Sequence, residues 1–477
     1  MTRNCELRIA QPMFDDLTAH LFPGDGDEHG AVIQAGLLET PDGPVLTART
    51  LVLAKEGEDW VPGNRGYRMM LARFVAGQAR RCRDEKLVYL AVHNHGGRES
   101  VAFSAVDLES HERGFPALLD LVEGLPVGSL VFARDAVAGD IWFPDGARLK
   151  VDQMVVVGPR RRVLTPAADR RRTMAGARYD RQVRLFGANG QTILAGSRVA
   201  IVGLGGVGSL LAELLGRLGV GSFVLVDPDR VQPSNLPRLV DATDWDAMTW
   251  MVADGRPQWI RRLGAALATR KIDLAARVIR RANGKAHIER HFSSMEERAV
   301  VEDLKTCDYI FMAADGHRAR RLFNALVHQF LIPGVQLGTR IQPDPVSGAI
   351  VNVHTAARLV TPAGGCLLCN QAVSPTRLRE ESVPRSMLVA QRYVDGDDAS
   401  APSVITLNAL SASQAANDFL FYMTGLTAPD AFQGTIQARP LDRRVRLVEP
   451  RSDPDCPDCG PEGRRGRGDH APIPLID

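Results

Sequence analysis

Two consecutive turns near the middle of the chain carry groups that could bind the phosphates and ribose of a nucleotide. The first turn, GLGGVGS, follows the apolar residues Val199 to Val202, which predict a buried strand, and precedes a helix predicted from Ser209 to Leu218. The glycines of this turn are Gly203, Gly205, Gly206 and Gly208. Because glycine has no Cβ atom, backbone amides can approach a phosphate closely, and the positive end of the helix dipole points at the anion. The turn alone also fits a nicotinamide dinucleotide.

The second turn carries polar side chains that favour a nucleoside triphosphate. Its two carboxylates, hydroxyl, amide and guanidinium belong to Asp227, Asp229, Ser234, Asn235 and Arg238. Together these groups can hold a ribose and a polyphosphate, whereas a dinucleotide needs only the acidic residue at the position of Asp227. We therefore expect ATP at this site, and an NAD-dependent oxidoreductase is the less favoured alternative.

The combined pattern, GxGGxGS followed by VDxDxVxxSNLxR, resembles the ThiF/MoeB superfamily, whose members include the activating enzymes of ubiquitin-like proteins. The resemblance covers roughly residues 178–460. It implies an α/β fold, namely a Rossmann-like adenylation domain with a mostly parallel sheet. The alternation of predicted strands and helices from Arg178 onward agrees with that fold. The reaction implied is ATP-dependent adenylation of the C-terminal carboxylate of a protein.

Three further residues match charged positions of that superfamily. Lys271, near the start of a predicted helix, would stabilise charge on the leaving pyrophosphate, although a surface lysine is the simpler alternative. Asp315 follows a predicted strand, Asp308 to Ala314, and would hold Mg²⁺; it could also cap the next helix. The segment ARYDRQVRLFG resembles a helix at the family's dimer interface, which implies a homodimer in which Arg181 completes the partner's ATP site.

Four of the seven cysteines form two CxxC pairs. These are Cys366 with Cys369 and Cys456 with Cys459. Four thiolates are the number that a closed tetrahedral Zn²⁺ site needs, and a redox pair is the less favoured alternative. The segment from Gln371 to Asp455 contains no cysteine, so the thioester that related enzymes form there is not expected. The acyl-adenylate would pass directly to a partner's thiol, or to Cys5 or Cys82 if either were brought close. The remaining cysteines are Cys5, Cys82 and Cys307.

Near the amino terminus, the segment HNH places two imidazoles on one side of a predicted strand, because residues i and i+2 of a strand face alike. These are His93 and His95. With the carboxylate of Asp107 they make a three-ligand zinc site that leaves a fourth position for water. An open position is typical of a catalytic zinc site.

Glu28, the HNH segment and Ser104-x2-Asp107 together resemble the JAB/MPN metalloprotease family over roughly residues 15–143. The resemblance implies an N-terminal α+β domain in which Glu28 is the general base for the attacking water and Ser104 holds the oxyanion. Gly96 stands where family members commonly have proline, and the spacing to Ser104 is one residue longer than usual. A domain that binds without cleaving is the alternative.

The 477 residues divide at changes of composition. We expect the JAB/MPN-like domain at 1–157, a linker rich in arginine at 158–177, the adenylation domain at 178–460 and a disordered tail rich in Gly, Pro and Arg at 461–477. The net charge of +2 shows no bias toward nucleic acid. Because the amino terminus lacks the apolar core of a signal peptide and no apolar run is long enough to span a membrane, we expect a cytoplasmic protein without nucleic-acid or membrane partners.

The two resemblances imply a bacterial fusion that activates a small β-grasp, ubiquitin-like protein and also processes or deconjugates it with a zinc peptidase. Such fusions are similar to components of bacterial ubiquitin-like conjugation operons, some linked to phage defence, and an E2-like conjugating protein would be a further partner. Activation of a sulfur-carrier protein for thiamine- or molybdopterin-type cofactor synthesis is the nearest alternative. The small molecules and ions implied are ATP, Mg²⁺ and Zn²⁺.

Overall fold

The computed structural model describes residues 5–61, 68–167, 176–344, 347–383 and 402–475. These residues form two compact units, each with its own eight-stranded sheet. The first unit comprises Met1–Arg172, His328–Leu331 and Gly460–Pro472. The second unit comprises Thr173–Val327, Ile332–Cys459 and Ile473–Asp477.

The first unit is a mixed sheet with three helices. Its strands are β1 (Cys5–Ala10), β2 (Gly30–Leu38), β3 (Val45–Leu53), β4 (Val88–Asn94), β5 (Val127–Phe132), β6 (Val137–Trp142), β7 (Arg148–Val157) and β8 (Arg162–Leu164). Its helices are α1 (Gln11–Leu21), α2 (Ala72–Glu85) and α3 (Ala105–Val122). The strand order is β1-β3-β2-β4-β5-β6-β7-β8, and β1 also pairs with β7, so the sheet closes on itself. Helix α1 contributes to a core that contains Leu7 and Leu130, and α2 and α3 to a core that contains Tyr89 and Phe115.

The structure differs from the sequence prediction at the expected linker and at the expected disordered tail. Within 158–177, residues Arg162–Leu164 form β8, which pairs with β7. Residues 461–475 are described as part of the fold, and Gly466 accepts hydrogen bonds from the amide of Gly36 (3.1 Å) and the hydroxyl of Thr47 (3.0 Å). Backbone carbonyls of the tail also accept hydrogen bonds from the buried guanidinium group of Arg49. The tail is ordered by its backbone hydrogen bonds, which a composition rich in Gly and Arg does not reveal.

The second unit combines a parallel and an antiparallel half. Its strands are β9 (Arg198–Val202), β10 (Ser222–Val226), β11 (His287–His291), β12 (Tyr309–Met312), β13 (Gly334–Pro343), β14 (Ile350–Val360), β15 (Thr435–Arg439) and β16 (Arg444–Val448). The strand order is β11-β10-β9-β12-β13-β14-β15-β16. Pairing is parallel from β11 to β13 and antiparallel from β13 to β16. The predicted parallel sheet is therefore present, with an antiparallel extension.

Ten helices lie among the described residues of this unit. They are α4 (Asp180–Gly196), α5 (Gly206–Leu218), α6 (Asp244–Ala247), α7 (Thr249–Val252), α8 (Gln258–Leu267), α9 (Lys271–Ala282), α10 (Arg298–Lys305), α11 (His317–Gln329), α12 (Pro375–Glu381) and α13 (Ile405–Thr424). The core contains Ile201, Leu225 and Phe311 of the parallel strands with apolar residues of α5, α9 and α13. Because β9, β10 and β12 run parallel, their carboxyl ends meet at one edge of the sheet, where ligands bind in open α/β folds.

No helix in the described part of the chain has the length and apolar character needed to cross a membrane.

Candidate nucleotide and metal sites

The glycine turn lies between β9 and α5, and close packing explains three of its glycines. Gly203 has a φ of +88°, and a Cβ atom there would lie 2.6 Å from the amide nitrogen of Ala314. A Cβ at Gly208 would lie 1.9 Å from the carbonyl oxygen of Gly203, and one at Gly206 would lie 2.1 Å from Asn408. A Cβ atom placed at Gly205 would have no neighbouring atom within 4 Å. The turn is thus tightly packed on one side and open at Gly205, where the first amides of α5 are available to an anion.

A cavity of about 550 Å³ opens at this turn and collects most of the predicted nucleotide residues. Those that line it are Gly203, Gly205, Gly206, Asp227, Asp229, Arg238, Lys271 and Asp315. The side chains of the second turn and those of α9 and β12 thus converge on one space, although they lie far apart in the sequence. The volume is within the range of about 300–1,000 Å³ that is usual for ligand sites.

Lys271 lies inside this cavity with two carboxylates. Its Nζ atom is 2.6 Å from Asp229 Oδ2 and 3.9 Å from Asp227 Oδ1, and its side chain is 12% exposed. Burial raises the pKa of Asp227, an effect that Lys271 opposes. Asp227 also accepts hydrogen bonds from the amides of Leu204 (2.6 Å) and Asp229 (2.8 Å), which fix the second turn beside the first. The structure thus places Lys271 in the cavity wall, and its predicted role at the pyrophosphate stays a prediction.

Asp315 is exposed at the carboxyl end of β12 and does not cap the following helix as the alternative proposed. The first amides of α11, those of His317 and Arg318, donate to the two oxygens of Glu381 at 2.8 Å each. Glu381 therefore caps these two amides of α11. The carboxylate of Asp315 belongs to the cavity wall.

The predicted residues that lie outside the cavity lining are Gly208, Ser234, Asn235 and Arg181. Asn235 is buried, and its Oδ1 atom accepts from the amide of Gln232 (3.1 Å), so it holds the shape of the second turn. Arg238 donates to the carbonyl of Ser234 (3.1 Å) and reaches the cavity from there. Arg181 is exposed at the start of α4. Its predicted role in a partner's site stays a prediction.

Arg320 and Thr339 line the cavity and were not among the predicted nucleotide residues. Among the described residues, neither the buried Nε atom of Arg320, on α11, nor the buried hydroxyl of Thr339, on β13, has a hydrogen-bond partner. Burial lowers the pKa of Arg320, and Asp315 opposes that shift. A buried donor without a partner is a candidate ligand contact. Arg320 follows Asp315 at a spacing that resembles the D-x4-R-x3-N pattern of the ThiF/MoeB superfamily, whereas Thr339 belongs to no motif.

The four predicted cysteine ligands lie together in the second unit. Sγ–Sγ distances are 3.5 Å for Cys366 to Cys369, 3.6 Å for Cys366 to Cys456 and 3.6 Å for Cys369 to Cys459. All four sulfur atoms lie within 4.8 Å of one another. In a tetrahedral site with Zn–S bonds of about 2.3 Å, sulfur atoms are about 3.8 Å apart. The cluster therefore has the dimensions of a Cys₄ zinc site.

Helix α11 holds this cluster in place. Asp458, between two of the cysteines, is fully buried and accepts hydrogen bonds from Asn324 and Arg321. The Oδ1 atom of Asn324 accepts from the amide of Leu367, in the other CxxC pair, at 2.7 Å. One buried amide side chain thus binds both halves of the cluster, a role that the sequence pattern did not assign to Asn324.

In the first unit, the structure brings the three predicted histidine and aspartate ligands together at the end of β4. His93 Nε2 is 3.5 Å from Asp107 Oδ1, and His95 Nε2 is 3.3 Å from Asp107 Oδ2. One ligand atom of each residue lies within 4.8 Å of the others. Glu28 Oε1 is 4.0 Å from His95 Nε2. Although burial favours the neutral acid, hydrogen bonds with His93 and Ser104 hold the pKa of Asp107 below its usual value.

Ser104 and Asp107 also form a local structural motif. Ser104 is the N-cap of α3: its Oγ atom accepts from the amide of Asp107 (3.2 Å) and donates to Asp107 Oδ2 (2.7 Å). This capping box fixes the carboxylate toward the two histidines. The Nδ1 atom of His95 lies 3.2 Å from the carbonyl of Ala102, a contact that leaves Nε2 directed at Asp107. The predicted oxyanion role of Ser104 stays a prediction.

The sequence profile of the ThiF family matches residues 179–458. The SAMP-activating enzyme E1 of Haloferax volcanii is 27% identical over 293 residues, which are 60% of this chain and 89% of that protein. The adenylyltransferase and sulfurtransferase MOCS3-2 of Zea mays is 28% identical over 291 residues, which are 59% of this chain and 50% of that protein. The crystal structure of Escherichia coli MccB with ATP covers 60% of this chain and 75% of its own, with a TM-score of 0.42 and 16% identity.

Proposed function

The chain belongs to the ThiF family, and we propose that it uses ATP to adenylate the carboxyl terminus of a small ubiquitin-like or sulfur-carrier protein. The observation that carries this proposal is the convergence of Asp227, Asp229, Lys271, Arg238 and Asp315 on one cavity at the glycine turn. The names of relatives agree with it, since one is an E1 enzyme that activates a SAMP protein and another is an adenylyltransferase.

In the proposed reaction, a carboxylate oxygen of the carrier forms a bond to the α-phosphorus of ATP, and the bond from that phosphorus to the pyrophosphate oxygen breaks. Lys271 and Arg238, with the amides at the start of α5, stabilise the negative charge that develops on pyrophosphate. Asp315 would hold Mg²⁺, which neutralises phosphate charge when bound. The products are an acyl-adenylate and pyrophosphate.

The acceptor of the activated acyl group is proposed to be the thiol of another protein. All three cysteines outside the Cys₄ cluster, namely Cys5, Cys82 and Cys307, are buried. Burial raises the pKa of the Cys5 and Cys82 thiols to about 12, so neither is an available thiolate at neutral pH. In a conjugation pathway, including one used in phage defence, the acceptor would be an E2-like conjugating protein. In cofactor synthesis, the acceptor would be a sulfurtransferase. A homodimer with Arg181 directed at the partner's ATP completes this proposal.

Carrier-dependent exchange of labelled pyrophosphate into ATP tests the adenylation proposal. We expect exchange when the purified chain is mixed with the β-grasp proteins encoded beside its gene, because adenylation is reversible while the acyl-adenylate stays bound. A carrier that lacks its last residue is the matched control and should support no exchange. Reduction of NAD by the chain, with no exchange for any carrier, would favour an oxidoreductase instead.

For the first unit we propose a zinc-dependent peptidase that processes the carrier or its conjugates. The support is the grouping of His93, His95 and Asp107 with Glu28 beside them. The three side chains would hold Zn²⁺, which acts as a Lewis acid toward a peptide carbonyl when bound. Glu28 takes the proton of the attacking water and returns it to the leaving amine. Together with the Cys₄ cluster, this predicts about two zinc ions per chain.

Replacing Glu28 by glutamine is expected to lower cleavage of a carrier with a C-terminal extension about a hundredfold, because glutamine cannot accept the proton. Zinc content should be unchanged, since Glu28 is not one of the three proposed ligands. Cleavage is followed by mass spectrometry, and zinc by elemental analysis. The control is Glu58→Gln, which changes a 70% exposed carboxylate of the loop after β3. Full activity of the Glu28→Gln variant would exclude this role.

A further inference from the structure

A second cavity, of about 230 Å³, lies in the first unit directly beside the histidine and aspartate cluster. Glu28, His93 and Asp107 form part of its wall. The rest is mainly apolar and includes Trp60, Met70, Val75, Tyr89, Phe115 and Leu118. We name this cavity the apolar pocket. At its mouth stands Met69, which is 52% exposed.

The dimensions of the apolar pocket suit one side chain. Its volume is below the range of about 300–1,000 Å³ that whole small-molecule ligands usually occupy. Because two proposed zinc ligands line the apolar pocket, a substrate side chain bound in the pocket would belong to a residue next to the scissile peptide bond.

Two ionisable groups of the wall, Arg68 and His111, are already paired with carboxylates that lie outside the wall. Arg68 binds the carboxylate of Glu56 and stacks on Trp60, with its guanidinium carbon 4.5 Å from the ring centre. His111 lies 3.3 Å from Asp140 and is stacked on Phe115, with ring centres 4.4 Å apart. The aromatic and aliphatic side chains of the wall favour an aliphatic or aromatic occupant.

We propose that the apolar pocket selects substrates with a large apolar side chain, of leucine to phenylalanine type, at a residue flanking the scissile bond. The proposal rests on the peptidase proposed for this unit. It predicts that substrates with glycine on both sides of the bond are poor, because they leave the pocket empty. Burial of one such side chain is expected to favour leucine over glycine about tenfold to hundredfold in kcat/KM.

Gly114 provides a way to fill the pocket without disturbing the fold. It lies on α3 and lines the pocket, and a Cβ atom placed there has no neighbouring atom within 4 Å. Gly114→Leu therefore fills the space with its own side chain and also improves helix propensity. Gly77, on α2, has the same open surroundings but does not line the pocket, so Gly77→Leu is the matched control.

The experiment uses the zinc-loaded full-length chain and carriers whose C-terminal extension has Leu, Phe, Gly or Asp on either side of the scissile bond. We expect the wild type and Gly77→Leu to prefer Leu and Phe at one of the two positions, and Gly114→Leu to lose that preference, with a Leu to Gly ratio near one. The corresponding hexapeptides, titrated calorimetrically into the inactive Glu28→Gln variant, should show the same order of affinity.

The outcomes separate this inference from the peptidase proposal. Cleavage of all substrates at equal rates would overturn the apolar pocket as a specificity site while leaving the peptidase standing. A preference that Gly114→Leu retains would also overturn it. If the zinc-loaded chain cleaves none of the substrates, the peptidase proposal fails, and the inference fails with it.

Discussion

Replacing Lys271 by alanine is expected to lower the rate of carrier-dependent exchange of pyrophosphate into ATP about a thousandfold. The ammonium group lies in the cavity at the glycine turn, 2.6 Å from Asp229 and 3.9 Å from Asp227. Without it, Asp227 and Asp229 face the triphosphate without the ammonium group that lies beside them. The loss therefore combines the missing stabilisation of pyrophosphate with repulsion from Asp227 and Asp229.

Lys285 provides the matched control, since it is an exposed lysine of the same unit outside the cavity lining. Lys285→Ala should exchange at the wild-type rate. A thermal unfolding curve for each variant separates loss of catalysis from loss of structure, and Lys271→Arg, which keeps the charge, should recover part of the activity. Exchange by Lys271→Ala within about threefold of the wild type would show that Lys271 does not act on the phosphates.

The parts of the nucleotide site that could be predicted are those whose residues lie close together in the sequence. The apolar run before Gly203 fixes where β9 ends, and the spacing from there to Asp227 places the carboxylate at the end of the adjacent strand. Contacts made through the tertiary structure gave no such signal. Glu381 caps α11 from more than 60 residues away, and Thr339 reaches the cavity only because β13 pairs beside β12.

The first unit shows the same division. The two histidines could be placed on one face because the period of a strand is two residues, and Ser104 and Asp107 follow at helical spacing. The ordered tail could not be foreseen. The carbonyl of Gly466 accepts a hydrogen bond from the amide of Gly36, and the carbonyls of Gly463 and Arg465 accept from the buried Arg49, so the order of the tail depends on residues more than 400 positions earlier. The amino-acid composition of the tail shows only that it has few apolar side chains. It contains no information on these backbone hydrogen bonds.

The cysteine cluster and the nucleotide cavity are linked through one helix of the second unit. Helix α11 starts two residues after Asp315, carries Arg320 in the cavity wall, and contributes the buried Asn324, whose side chain hydrogen-bonds to residues of both CxxC segments. A change in the cluster therefore acts on the position of two groups that face the nucleotide. We therefore expect the four-cysteine cluster to support, through α11, a cavity that it does not line.

Replacing Cys459 by serine is accordingly expected to remove one zinc ion per chain and to destabilise the second unit. Structural zinc sites contribute as much as about 10–16 kcal/mol of apparent binding free energy in small domains. Loss of only about 3 kcal/mol would lower the Tm of a unit of this size by roughly 10 °C. Exchange of pyrophosphate into ATP should fall with it, because α11 no longer fixes Asp315 and Arg320. Elemental analysis, calorimetry and the exchange assay measure the three effects.

Cys307 is the matched control, because it is a fully buried cysteine of the same unit outside the cluster. Cys307→Ser should keep the wild-type zinc content, and a chelator should reproduce the effects of Cys459→Ser in the wild type and in this control. If Cys459→Ser retained both its zinc and its Tm, the four sulfur atoms would not form a metal site. If it lost zinc but exchanged pyrophosphate normally, the cluster would stabilise the fold without positioning α11, and the link from Asn324 to Asp315 would have no effect on catalysis.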